Sequence, residues 1–144
     1  MELKLIELTD KNDICKTYDI YKHCMFMPTE EMFNEKIDTF LKDNFIKIFA
    51  CLYRSETKGI IAISFIEQFK IEIIGIAVDD SVRHQGIGSY MINELANEYN
   101  STSIYAETDD DAVGFYRNNG FDITEFAENY NGETVIRYEC ESTK

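Results

Sequence analysis

The sequence contains a single proline, Pro28, and no proline-, glycine- or serine-rich stretch that would act as a linker. It has no internal repeat and no low-complexity tract. With 144 residues, 44% hydrophobic and 13% aromatic, the chain can build one substantial core, and residues 1–144 read as a single domain. Long apolar runs are also missing, since nothing approaches the ~18 residues of a membrane span. The opening "MELKLIELTD" places a charge every few positions, unlike a targeting segment. No membrane association is expected.

Basic residues are scarce, 14 against 27 acidic, for a formal net charge of -13. Such a field repels a nucleic-acid backbone or an anionic membrane, so neither is expected as a partner. A cationic small molecule or a basic peptide is the better electrostatic match, although acidity serving solubility alone explains the same charge. The cysteines, Cys15, Cys24, Cys51 and Cys140, form no C-x-x-C pair and no spacing matched by the 2 histidines. No metal site is expected from them. They read as small core hydrophobes in a reducing, cytoplasmic protein.

Against these absences stands a clear alternation of patterns. "LKLIEL" (Leu3 to Leu8) alternates as a strand does. Ile14, Tyr18, Tyr21 and Met25 recur at helical spacing, and Pro28 suits the first turn of a second helix whose Phe33, Ile37, Phe40 and Leu41 share a face. Three runs rich in β-branched and aromatic residues follow, Phe45 to Arg54, Gly59 to Phe69 and Ile71 to Val78. They read as a meander of strands.

Ile87, Met91, Leu95 and Tyr99 then stack at intervals of four, which makes Gly86 to Tyr99 a helix, and "SIYAET" (Ser103 to Thr108) is a strand again. Strand, helix and strand in this order form a parallel crossover. Asp110 to Asn119 reads as a short helix closed by Gly120, and "FDITEF" and "TVIRYEC" as two strands joined through Asn131-Gly132. The fold class is α/β (α+β), with about seven strands in a mixed, mostly antiparallel sheet and about four flanking helices.

The chemistry concentrates in Arg83-His84-Gln85-Gly86-Ile87-Gly88. The third glycine of a dinucleotide fingerprint is replaced by Met91, and no Gly-Lys-Ser/Thr follows, so neither common nucleotide motif fits. Two functions stay open for the glycines alone: an anion cradle at a helix start, or a turn that glycine eases.

Together, "IEIIGIAVDDSVRHQGIGSYMI" and "DDDAVGFYRNNGF" resemble the cofactor loop and the following A-x-x-F-Y-x-x-x-G-F segment of the GNAT superfamily of N-acetyltransferases. The order of elements agrees over nearly the whole chain, β-α-α-β-β-β-α-β-α-β-β. The resemblance implies acetyl-CoA as cosubstrate, with its pyrophosphate on the N-H groups of Arg83, His84, Gln85, Gly86, Ile87, Gly88 and the adjacent Ser89. It implies a pantetheine arm beside the backbone of Ile76, Ala77 and Val78. It also implies Tyr116 as the acid for the leaving thiolate, Ala77 or Val78 N-H as oxyanion donor, and Glu72 as general base, with Glu107 in reserve.

Asp109 stands where the family often has asparagine beside the cofactor, so the grip on the 3'-phosphate departs from the pattern, and His84 reads as a solvated loop residue. Cys51 and Cys140 have no neighbouring base in sequence, which disfavours an acyl-cysteine route. The implied reaction is direct attack of a primary amine on acetyl-CoA through a tetrahedral intermediate. A small cationic amine is the expected acceptor, with a protein or peptide amine as the alternative acceptor and a catalytically weak acyl-CoA sensor as the alternative role. The reading leaves a homodimer open.

Overall fold

The computed structural model describes residues 2–68, 70–100 and 103–143. Phe69, where the sequence reading ends one strand, lies outside them. Seven strands form one sheet: β1 (Leu3–Leu8), β2 (Ile46–Tyr53), β3 (Glu56–Glu67), β4 (Lys70–Val78), β5 (Ser103–Thr108), β6 (Asp122–Tyr130) and β7 (Glu133–Thr143). Their spatial order is β1-β2-β3-β4-β5-β7-β6. Every neighbouring pair is antiparallel except β4 with β5, which is parallel. The helices are α1 (Lys11–Cys15), α2 (Tyr18–Tyr21), α3 (Glu30–Leu41), α4 (Ile87–Glu98) and α5 (Val113–Asn118).

Helices α4 and α5 cover one face, burying Ile87, Met91, Leu95, Val113 and Tyr116 against Phe49, Ile61, Ile73 and Ile104. The first three helices cover the other face through Ile14, Ile20, Tyr21, Phe33 and Ile37, over Ile48, Ala50, Ile60 and Ala62. Truncating a fully buried core side chain such as Leu95 to alanine costs about 2–5 kcal/mol.

A bulge in β4 decides which of its residues meet which core. Ala62 pairs with Gly75 and Ile63 with Ile73, which leaves Ile74 as the extra residue. Ile71, Ile73, Ile76 and Val78 therefore belong to the α4/α5 side, and Ile74 and Ala77 to the α1–α3 side. Gly75 is required at the bulge because a Cβ there would collide with the Tyr21 hydroxyl.

The first long helix of the sequence reading is instead three short pieces, α1, α2 and a 3-10 turn over Lys22–Cys24. Thr17 causes the first break, its N-H and its hydroxyl both donating to the Ile14 carbonyl, at 2.9 and 2.6 Å. Pro28 lies ahead of α3 rather than in its first turn, because the Thr29 hydroxyl accepts from Met32 N-H at 3.1 Å and so caps the helix. Leu41, expected on the buried face of α3, is exposed. Of the cysteines only Cys51 and Cys140 are buried; Cys15 is half-buried and Cys24 is exposed, so the core role assigned to all of them is corrected.

Helix α5 starts later than the sequence suggests, after the Asp109 carboxylate has accepted from Asp111 and Ala112 N-H. Gly120 closes it at φ 82, in the left-handed conformation that its position requires. Asn131 and Gly132, at φ 50 and 84, form the two-residue turn between β6 and β7.

Candidate active site

Strands β4 and β5 pair only through Lys70–Ser103, Ile71–Ile104 and Glu72–Tyr105. β4 then runs on to Val78 and β5 to Thr108 with no register between them. β5 stays paired to β7 as far as Thr108, and β4 to β3 as far as Val78, so the sheet opens between these two strands alone. The peptide groups of β4 beyond Glu72 that do not point toward β3, within the stretch containing Ile76, Ala77 and Val78, thus face a gap on the β5 side. An unpaired strand edge of this kind accepts an extended ligand as an added strand.

Glu72 sits at the closed end of the gap and is half-buried. Burial raises its carboxyl pKa above the ordinary range, Glu107 raises it further, and Lys70 opposes them. Residues paired in register share a face. Glu72 therefore shares its face with Tyr105, and Glu107 with Glu139 across β5 and β7. The Tyr105 hydroxyl donates to Glu107 Oε2 at 2.7 Å. Burial, the bond to Glu107 and the charges of Glu139 and Glu72 all push the phenol well above its usual value. One face of the gap is thus strongly acidic.

The segment after β4 turns through a 3-10 turn over Asp80–Val82 into α4. Asp79 fastens it, its carboxylate accepting from Ser81 N-H at 2.9 Å and Ser81 Oγ at 2.6 Å. His84 has φ 63 and Gly86 φ 84, which winds the loop back over the helix start. Gly86 is the N-cap of α4 and no side chain caps the helix, whereas α1 and α3 are capped by Asp10 and Thr29. The first N-H groups of α4, on Ile87, Gly88 and Ser89, are left for an anion. A Cβ on Gly86 would meet nothing within 4 Å, so open space adjoins the backbone.

Gly88 has a different purpose, because a Cβ there would come within 2.8 Å of the Phe115 ring. The arginine of the loop is engaged internally, Arg83 Nη2 lying 2.9 Å from Asp80 Oδ1. His84 and Gln85 are exposed.

Tyr116 comes from the α5 side. Its ring packs edge-on against Phe115 and Phe121, each at 5.2 Å between centroids. The residue is 4% exposed. Burial raises the phenol pKa well above its usual value, with Cys140 and then Cys24 adding to the effect.

The structure therefore places Glu72 at the closed end of the gap, the open edge at Ile76–Val78 along it and the loop Arg83–Ser89 at its carboxyl end, with Tyr116 in the α4/α5 core. Asp109 follows directly on β5 and spends its carboxylate on the start of α5. Tyr105, paired with Glu72 at the closed end of the gap, was not singled out as functional by the sequence, where it is one aromatic within a strand pattern.

The family profile described as "Acetyltransferase (GNAT) family" matches residues 14–121. The chain belongs to this family. The acetyltransferase is also similar in fold to a Bacillus subtilis acetyltransferase solved in complex with CoA, at 17% identity and TM-score 0.71, with 99% of each chain covered. It resembles a GNAT family acetyltransferase from Elizabethkingia anophelis with acetyl-CoA bound, at 19% identity and TM-score 0.71, over 99% of this chain and 98% of the other. A spermidine N-acetyltransferase chimera from Vibrio cholerae and hSSAT gives TM-score 0.77 at 17% identity, over 99% and 96% of the two chains. No curated protein matches by sequence. At these identities the structural likeness is one of fold, and the family assignment rests on the profile.

Proposed function

We propose that the acetyltransferase moves the acetyl group of acetyl-CoA onto a small cationic primary amine. The observation that carries this reading is the parting of β4 and β5 beyond Glu72 and Tyr105, with an uncapped helix start at one end of the gap. The first N-H groups of α4 and the Arg83 side chain suit a pyrophosphate, and the free edge of Ile76, Ala77 and Val78 suits the amides of a pantetheine arm. Bound there, acetyl-CoA supplies an activated acyl group as a thioester.

The chain's residues supply the rest. An alkylammonium titrates near ~10, so about one part in a thousand is free base at neutral pH. Glu72, its pKa raised by burial and Glu107 and positioned at the closed end of the gap, takes the proton from the incoming amine. A backbone N-H of Ala77 or Val78 faces the acyl oxygen as charge develops on it. Tyr116 returns a proton to the departing thiolate. The acidic face formed by Glu72, Glu107 and Glu139 draws a cation toward this point.

The test is thiol release from acetyl-CoA over a panel of diamines, polyamines, aminoglycosides and basic peptides. Turnover with small polycationic amines is expected, with KM rising about tenfold in a Glu107→Gln/Glu139→Gln protein. Turnover confined to peptides would overturn the acceptor assignment.

A further inference from the structure

The 3-10 turn over Asp80–Val82 is held firmly at the mouth of the cofactor loop. Val82 anchors it in the α4/α5 core and donates its N-H to the Asp79 carbonyl at 3.1 Å, while Asp79 N-H donates to the Lys58 carbonyl of β3 at 2.8 Å. The turn presents the Asp80 carboxylate with both oxygens engaged. Oδ1 lies 2.9 Å from Arg83 Nη2, in the loop that leads into α4. Oδ2 lies 3.5 Å from His23 Nε2, in the 3-10 turn Lys22–Cys24 that packs on β4.

One carboxylate thus faces two basic groups from elements far apart in sequence. Neighbouring charges have partners of their own. The Asp79 carboxylate accepts from Ser81 N-H and Ser81 Oγ. Lys58 Nζ lies 3.4 Å from Glu56 Oε2 and 3.5 Å from Ser81 Oγ. Lys22, beside His23, lies 3.8 Å from Asp19 Oδ1, and Lys70 and Glu72 sit at the opposite end of β4. Hydrogen bonds from Ser81 hold the Asp79 carboxyl below its usual range, with Lys58 and then His23 adding to the effect. His23 therefore faces an acidic pair, Asp79 and Asp80.

A pyrophosphate on the loop draws Arg83 away, so Asp80 loses its nearer cation just as a second anion arrives beside it. An anion at this distance favours a protonated imidazole, and imidazole is the side chain that changes charge near neutrality. We propose that His23 is a positioning residue for the cofactor: as imidazolium it holds Asp80 when the pyrophosphate takes Arg83, so CoA binds with uptake of a proton. The assignment rests on the reading that the loop Arg83–Ser89 takes the pyrophosphate of acetyl-CoA. By linkage, a ligand that binds with proton uptake binds more tightly as pH falls through the imidazole range. The side chains of His23 and Asp80 are 30% and 67% exposed, so the contribution is that of a screened pair, about 1.5-fold to 5-fold in affinity.

The experiment is calorimetric binding of CoA at about pH 6 and about pH 8.5, on either side of the imidazole range. It compares His23→Gln with its parent in wild type, in Asp80→Asn and in His84→Gln, and needs no knowledge of the acceptor. The 3'-phosphate of CoA titrates in the same range but is common to every pair. In wild type, His23→Gln is expected to weaken CoA about 1.5-fold to 5-fold at the lower pH and to match its parent at the higher, which also shows that the variant is folded. Repeats in buffers of different ionisation enthalpy should show fewer protons taken up by His23→Gln. The loss should persist in His84→Gln, which removes the loop imidazole from the comparison, and should vanish in Asp80→Asn. An equal loss at both pH values marks a merely structural role and overturns the assignment. The same loss in Asp80→Asn as in wild type, or unchanged affinity and proton uptake in His23→Gln, overturns it too. Failure of wild type to bind CoA at either pH refutes the cofactor reading and this assignment with it, whereas the other outcomes touch the assignment alone.

Discussion

Glu72 and Tyr105 are the last residues that β4 and β5 hold in parallel register, and beyond them the two strands part. The pair sits at the point where a sheet stops being a wall and becomes a cleft. A parallel pair at this point needs no special residue to separate it. The bulge at Ile74 redirects β4, while β5 stays tied to β7. The carboxylate of Glu72 is thereby desolvated by the protein without losing its access to the cleft.

That position has a measurable titration. As a base Glu72 must be ionised, so the acid limb of the pH–rate profile should lie above the ordinary carboxylate value near ~4.3. Glu107→Gln removes a neighbour that raises the Glu72 pKa and should shift the limb to lower pH; Lys70→Met removes one that lowers it and should shift the limb up. Glu72→Gln should abolish the limb and reduce kcat/KM by ~10²-fold or more. Stability moves the other way. A carboxyl whose pKa is raised by folding holds its proton more tightly in the folded state, so its stabilising share is complete at acid pH and is lost as pH rises through the folded value. Glu72→Gln should therefore melt above wild type at pH 7, with the difference vanishing below the carboxylate range. A melting temperature lowered at pH 7 would contradict this account of Glu72.

Tyr116→Phe separates catalysis from packing. The ring contacts with Phe115 and Phe121 survive the change. Among the described residues the hydroxyl is not one of the buried polar atoms left without a partner, so its removal should leave stability within about 1 kcal/mol of wild type. Turnover should fall ~10²-fold, and the loss should be smaller with an acyl donor whose thiol leaves as a weaker base. Chemical denaturation and steady-state kinetics on one preparation check both halves.

Much of this architecture was legible because its signals are local. The alternation in "LKLIEL", the four-residue spacing of Ile87, Met91 and Leu95, and the Asn131-Gly132 turn each arise within a few residues of chain. What was not legible depends on partners far away in sequence. Thr17 breaks the first helix by bonding a carbonyl that a periodicity count takes to be in use. Cys24 is exposed rather than core because the helix expected to carry it is broken into short pieces and ends in a 3-10 turn over Lys22–Cys24. For the same reason the two glycines of "GIG" look equivalent as letters and are not equivalent in space.

Their difference gives the next prediction. Gly86 is held at φ 84 with open space around it, and Gly88 lies inside the helix with the Phe115 ring 2.8 Å from where a Cβ would stand. Gly86→Ala should cost about 1–2 kcal/mol in backbone strain, and Gly86→Asn, which tolerates the left-handed region, should cost less. Gly88→Ala should cost about 1–3 kcal/mol by overpacking, and Phe115→Leu in the same chain should recover part of it. Recovery of the Gly86→Ala loss by Phe115→Leu would show that the two roles have been assigned the wrong way round.

The remaining prediction concerns how an acidic protein holds a polyanion. Arg83, the only arginine or lysine between Lys70 and Arg117, is paired at 2.9 Å with Asp80, which also lies 3.5 Å from His23 Nε2. Both partners of the arginine pair are well exposed, and such pairs are worth about 0.2–1 kcal/mol. A pyrophosphate must draw Arg83 away from this carboxylate, so Asp80 works against it twice, by occupying the guanidinium and by its own charge. Asp80→Asn should therefore tighten CoA binding by about 1.5-fold to 5-fold, and Arg83→Ala should weaken it while reducing its dependence on salt. In Arg83→Ala the Asp80→Asn gain should shrink, because only the general charge effect remains. Equal gains from Asp80→Asn in both backgrounds, measured by calorimetry at two ionic strengths, would mean that Arg83 takes no part in holding the anion and that the backbone of the loop acts alone.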